Sequence, residues 1–252
     1  MQDKLAAFER LLTIMDELRE KCPWDRKQTF ESLRNLTIEE TYELADAILD
    51  KDIKGIKEEL GDLMLHIVFY AKIADEKNAF NIADAMNEVC EKLINRHPHI
   101  YGDVVADDEE TVKKNWEQLK LQEGKKSVLG GVPKSLPAMV KAYRMQEKTA
   151  QVGFEWDNAE QVWEKVEEEI AEFKETLVNQ ESQARREEEF GDILFSMINY
   201  ARFQNIDPET ALERINQKFK KRFEYIEANA PKSMEEMSLE EMDALWNEAK
   251  GK

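Results

Sequence analysis

Apolar residues recur along most of this chain at intervals of three and four, the spacing that gives a helix a single apolar stripe. Strand-like alternation of useful length does not occur, so the pattern predicts an all-α protein. Breaks near Asp50-Lys51-Asp52 and from Asn179 to Ser182 read as turns that fold flanking helices into antiparallel hairpins. Helix signals fade at Pro98. Pro208 suits the first turn of a helix capped by Asp207, Pro231 ends that helix, and Ser238 caps the last one. An amphipathic stretch from Glu109 to Glu123 precedes a Gly- and Pro-rich run, Gly124 to Pro133, which reads as a linker. The expected organisation is an N-terminal helical domain over 1–123, a linker over 124–137 and a C-terminal helical domain over 138–252.

Polar positions within the two hairpins repeat. The first contains Glu39-Glu40-Thr41-Tyr42-Glu43 followed by Glu59-Leu60-Gly61-Asp62. The second contains Glu168-Glu169-Ile170-Ala171-Glu172 followed by Glu189-Phe190-Gly191-Asp192. Glu43 precedes Glu59 by 16 positions and Glu172 precedes Glu189 by 17. Fixed-period similarity of this kind signals a duplicated structural unit. Glu40 and Glu43 share a helix face, as do Glu59 and Asp62, and both pairs lie about 10 Å from the turn at 1.5 Å per residue. The hairpin therefore brings four carboxylates together, with Glu169, Glu172, Glu189 and Asp192 doing the same in the second copy.

Like charges at such range raise one another's pKa, and a divalent cation removes the conflict. All-oxygen ligands suit Mg²⁺, with Mn²⁺ as a substitute, rather than zinc or iron, which prefer thiolate or imidazole. A di-iron bundle would need Glu-x-x-His on two helices. His66 is four residues from Asp62, and the second copy has Ser196 in its place. His66 reads instead as a packed core histidine.

Basic pairs follow each acidic hairpin. Lys92 and Arg96 are four apart, as are Lys218 and Arg222. A lysine point charge beside a planar arginine fork suits a polyphosphate, and magnesium commonly binds through carboxylates together with substrate phosphates. The second copy adds Lys165 and Arg185, where the first has Leu36 and Gly55. Leu93 and Phe219, beside the basic pairs, are expected to turn toward a core. Against this stands the ordinary reading: most Glu and Lys at helical spacing are solvated faces. Repetition of the whole constellation favours the site.

Composition excludes some partners. A net charge of −18 argues against a nucleic-acid polymer or an anionic membrane. The longest apolar run, Leu63 to Ala74, is too short to span a bilayer. No signal-peptide core follows Met1, and two distant cysteines, Cys22 and Cys90, fit a reduced cytoplasmic protein. Leu63, Ile67 and Tyr70, like Ile193, Met197 and Tyr200, need partner helices that one hairpin cannot supply, so a homodimer is expected.

Cys22-Pro23-Trp24-Asp25, the two acidic hairpins, Asn95-Arg96-His97-Pro98-His99, Val152-Gly153-Phe154-Glu155-Trp156-Asp157 and Leu239 to Trp246 together resemble the two-domain MazG-type nucleoside triphosphate pyrophosphohydrolases. The resemblance spans essentially the whole chain. It implies Mg²⁺-dependent cleavage between the α and β phosphates, with broad base tolerance, in a dimer. It also implies that Glu169, Glu172, Glu189 and Asp192, or Glu40, Glu43, Glu59 and Asp62, hold the metal. Lys165, Arg185, Lys218 and Arg222, or Lys92 and Arg96, would hold phosphates, and Trp246 would lie against the nucleotide. Glu168 or Glu39 could take the proton of the attacking water, with Glu172 at the catalytic centre. A selective dUTP or dCTP hydrolase and a non-catalytic metal- and nucleotide-binding module are the rival readings. Trp24 and Trp156, each followed by Asp, suit packing and capping as well as base stacking.

Overall fold

The computed structural model describes residues 1–102, 104, 108, 111–112, 116 and 127–251. The described residues are helical apart from turns and short connections, and no helix among them is long and apolar enough to cross a membrane. The chain forms two compact units, Met1–Trp116 and Glu117–Lys252. The amphipathic stretch over 109–123 and the start of the expected linker lie largely outside the described residues. The rest of that linker contains a short 3-10 turn, Val128–Gly131.

In the first unit, α1 (Gln2–Lys21) and α2 (Phe30–Leu49) both pack on α3 (Ile53–Glu76), followed by α4 (Ile82–Arg96) and a single turn, α5 (Pro98–Tyr101). Met15, Leu33, Val68, Phe69 and Ile73 form its core, flanked by Phe30, Leu65 and Tyr70. Arg19, near the end of α1, pairs with Glu76 at the end of α3 and also donates to the Asp25 carbonyl, tying the two helix ends to the loop between α1 and α2. The α2–α3 turn falls where the sequence pattern puts it. Asp52 caps α3, and Lys51 adopts the left-handed φ of 58° that reverses the chain.

In the second unit, α6 (Ala138–Ala150) packs on α8 (Gln183–Phe203), which forms the hairpin with α7 (Ala159–Val178); α9 (Pro208–Asn229) and α10 (Leu239–Ala249) complete it. The turn repeats the first, with Gln180 at φ 54° and Ser182 as the cap of α8. Asp207 and Ser238 cap α9 and α10 as their positions suggest.

Two expectations need correction. The aspartates after Trp24 and Trp156 do not cap the following helices: Thr29 caps α2 and Asn158 caps α7, because these residues immediately precede the first helical turn. Leu93 and Phe219 do not turn to a core: they are 43% and 58% exposed, and α4 buries no residue within this single chain. Ile67 and Met197 are likewise 51% and 41% exposed, leaving apolar faces on both hairpins uncovered by their own chain.

Because Phe69 is 2% exposed at the centre of the first core, Phe69→Ala should cost about 3–5 kcal/mol. A fall of that size in the chemical-denaturation stability of the first unit is the expected outcome.

Candidate metal and phosphate site

Each hairpin presents a carboxylate triplet. Oxygens of Glu40, Glu43 and Glu59 lie within 4.8 Å of one another, as do those of Glu169, Glu172 and Glu189. In each triplet two residues come from one helix, three positions apart, and the third comes from the opposing helix, as the antiparallel geometry requires. Asp62 and Asp192, expected as fourth members, fall outside both triplets, although the Asp62 charge still acts on Glu40 and Glu59. His66 is also outside. It is 7% exposed, and burial holds its imidazole pKa below the usual value.

The two copies relieve the same electrostatic conflict differently. In the first, no cation replaces Leu36 or Gly55. Desolvation, then the Glu43 charge and those of its other neighbours, hold Glu40 and Glu59 above the ordinary carboxylate range. In the second, Lys165 reaches Glu169 at 2.8 Å and Glu168 at 2.9 Å. Arg185 pairs with Glu188 at 2.7 Å and closely with Glu189. The hydrogen bond to Glu169 is the main reason that the Lys165 pKa is raised. Glu172 is held above the usual range by desolvation and by the charges of Glu169 and Glu189.

Lys165 and Arg185, expected as phosphate ligands, are therefore counter-ions of the carboxylates here, since each stands four residues before its glutamate on the same helix face. Each triplet also keeps one buried carboxylate oxygen with no donor: Oε2 of Glu59 and Oε2 of Glu189. Glu189 is 2% exposed. A buried acceptor of this kind fits a hard cation, since such an ion takes oxygen ligands and offsets their desolvation.

The basic pairs sit on α4 and α9, each with its members one turn apart. Arg222 lies over the Trp246 ring with its guanidinium carbon 5.4 Å from the centroid, and Phe219 packs on the same indole at 5.2 Å. The first unit repeats the arrangement, with Arg96 over Trp116 at 5.5 Å. Trp116 escaped the sequence reading. Its signal was its place about twenty residues beyond Arg96, as Trp246 stands beyond Arg222. Glu39 and Glu168 are exposed beside the triplets, and Lys92 and Lys218 are also exposed.

Without metal, the raised carboxyls bind protons in the folded state that the unfolded chain has already lost. Their contribution to stability therefore falls as pH rises from the ordinary carboxylate range through the raised values. Glu31, Glu76 and Glu241, held low, act below that window. Thermal melts in a chelator should show a midpoint that declines across the window, and excess Mg²⁺ should flatten the decline. Glu172→Gln should raise the chelated midpoint at neutral pH and reduce the gain on adding Mg²⁺. Equal Mg²⁺ gains in the variant and the wild type would exclude the second triplet as a ligand set.

The MazG nucleotide pyrophosphohydrolase domain matches residues 28–101 and again 158–227, taking in both hairpins and both basic pairs. A nucleoside triphosphate pyrophosphohydrolase/pyrophosphatase MazG of Thermotoga maritima is 46% identical over 100% of this chain and 98% of its own. The nucleoside triphosphate pyrophosphohydrolase of Escherichia coli K12 is 39% identical over 96% of this chain and 97% of its own. A crystal structure of a mazG-related protein from Thermotoga maritima aligns with a TM-score of 0.41 at 30% identity, covering 45% of this chain and 98% of that one. By the double domain match and the full-length relatives, the chain belongs to the MazG nucleotide pyrophosphohydrolase family.

Proposed function

We propose that this enzyme hydrolyses nucleoside triphosphates with Mg²⁺ at the bond between the α and β phosphates, releasing the monophosphate and pyrophosphate with broad base tolerance. The observation that carries the reading is the pair of carboxylate triplets, each with one buried oxygen lacking a donor, in a chain of this family. Glu169, Glu172 and Glu189 would hold the ion in the second unit, and Glu40, Glu43 and Glu59 in the first, with Asp192 and Asp62 one turn beyond. When bound, the ion neutralises phosphate charge and lowers the pKa of a coordinated water.

The chain's own groups supply the rest. Water adds to the α phosphorus, the bond to the bridging oxygen breaks, and the proton passes to a carboxylate outside the triplet, Glu168 or its counterpart Glu39. Lys165 lies 2.9 Å from Glu168. Lys218 and Arg222, or Lys92 and Arg96, balance the charge of the departing pyrophosphate. Arg222 is held by its stack on Trp246, which leaves the fork edge open to phosphate oxygens. Lys165 and Arg185, paired here with Glu169 and Glu189, would add their charge to that of Lys218 and Arg222.

The second unit is the favoured catalyst, for two reasons: its triplet is the more buried, and it alone is flanked by two extra cations. A homodimer in the cytoplasm completes the proposal. The uncovered faces at Ile67 and Met197 support the dimer, as do Gly61 and Gly191, where a Cβ would meet nothing in the chain. A mid-helix glycine costs about 0.8–1 kcal/mol relative to alanine, and close approach by a second copy would account for it in both places.

Pyrophosphate release from a panel of triphosphates with Mg²⁺ tests the reading. Glu172→Gln should lower turnover at least ~100-fold, the effect of losing several kcal/mol of charge stabilisation, while Glu43→Gln changes it little. The reverse ranking would move catalysis to the first unit. Tight nucleotide binding by the wild type without pyrophosphate release would replace the enzyme with a binding module.

A further inference from the structure

The two units differ at the open end of each hairpin, where the second helix passes the start of the first. Aligning Glu59 with Glu189 places Phe69 opposite Asn199 and Tyr70 opposite Tyr200. Aligning the N-caps Thr29 and Asn158 places Phe30 opposite Ala159 and Glu31 opposite Glu160. In the first unit Phe30 stacks on Tyr70 with ring centroids 6.0 Å apart, and the Lys77 ammonium stands over the Phe30 ring at 4.6 Å. The same charge reaches Glu31, which is held below the ordinary carboxylate range chiefly by backbone and Thr29 hydrogen bonds and in part by Lys77. An ammonium on an aromatic face beside a carboxylate is thus built into the first unit.

The second unit keeps the aromatic walls and the acid, but among the described residues it supplies no cation there. Trp163 and Tyr200 meet with ring centroids 4.9 Å apart at 58°. With alanine at position 159 the space beside them stays open, a cavity of about 290 Å³ lined by Ala159, Glu160, Trp163 and Tyr200. Trp163 Nε1 donates to Glu167 at 3.0 Å, which sets the indole orientation while 41% of the residue stays exposed. Val166 stands where Thr37 bonds the Tyr70 hydroxyl at 2.7 Å, so the Tyr200 hydroxyl is without that partner. Lys77 is the C-cap of α3, seven residues beyond Tyr70. The C-cap of α8 is the neutral Gln204, four beyond Tyr200, because α8 ends one turn sooner. Glu160 and Glu164 share a face of α7, and neither pairs with a cation among the described residues.

We propose that this cavity binds a short linear diamine, with one ammonium against Trp163 and Tyr200 beside Glu160 and the other at Glu164. The first unit fills the equivalent place with its own ammonium, and the second leaves it to a ligand. Aromatic walls accept an alkyl chain and attract its charged end, whereas they offer no ligand atom to a hydrated metal ion. Carboxylates four residues apart on a helix have Cβ atoms about 5–6 Å apart, a span that two ammonium groups on one short chain can bridge. The cavity volume is close to the lower end of the ~300–1,000 Å³ of small-molecule sites, as suits a ligand of this size. Glu169 lies nine residues beyond Glu160 on α7, an axial rise of about 13.5 Å, so the diamine is separate from the acidic triplet. Binding there does not depend on the proposed reaction.

Calorimetric titration of putrescine into the full-length protein tests this, at fixed ionic strength and with excess Mg²⁺ so that other carboxylates are already screened. Putrescine should bind saturably, one per chain, and butanediol, of the same length without charge, should not bind. Trp163→Leu leaves every charge in place and should weaken binding at least ~5-fold, as expected for a lost cation–π contact. Trp163→Phe, which keeps an aromatic face, should stay within ~2-fold of the wild type. Ala159→Phe, which restores the side chain of the first unit, and Glu160→Gln should each weaken binding at least ~5-fold. Unchanged circular-dichroism melts confirm that the variants fold. No binding by the wild type, or uptake of putrescine without saturation, overturns the proposal. So does loss in Glu160→Gln with Trp163→Leu unaffected, since surface charge alone would then account for the attraction.

Discussion

Mutual repulsion among carboxylates is the constraint around which each half of this molecule is arranged. Two helices joined by a three- or four-residue turn have little freedom in register, so glutamates placed equally far from the turn must meet. Both hairpins accept that meeting, with three glutamates inside 4.8 Å and one buried oxygen unsatisfied. Such clustering works against folding unless protons, cations or a metal ion offset it. In the first copy burial and neighbouring charge hold Glu40 and Glu59 above the ordinary carboxylate range, while the second uses Lys165 and Arg185. In the second copy the lysine and arginine offset the carboxylate charge directly.

Divergence between the copies follows from that difference. The first unit has a conventional core, in which Met15, Leu33 and Phe69 interlock and Arg19 ties α1 to α3. The second places polar Asn199 and the buried amide of Gln146 at the matching helix interface and keeps open space beside them. A polar residue in place of a core phenylalanine sacrifices packing. The second unit thus combines a more buried acidic triplet, two extra cations and open space, where the first has packed side chains.

Much of this could be read in advance, and the exceptions share one cause. Helix type, both turns, the caps at Asp207 and Ser238, and the pairing of Glu43 with Glu59 and Glu172 with Glu189 follow from periodicity and rise per residue. Spacing does not say whether a cation turns to a carboxylate or to a ligand, and in the structure Lys165 and Arg185 turn to Glu169 and Glu189. Leu93 and Phe219 were expected inside because they are apolar. They lie outside because no element of the same chain covers that face.

The sequence by itself determined the all-helical architecture, its duplication, and which residue types converge, since helical periodicity and turn length are local properties of the chain. Tertiary structure decided what stands across from each face. It stacked Trp116 on Arg96 as Trp246 stacks on Arg222, left one oxygen of Glu59 and one of Glu189 without a donor, and opened a cavity at Asn199 where Phe69 closes one. Those outcomes depend on contacts between residues far apart in the chain, and no local pattern specifies its partner across a helix interface.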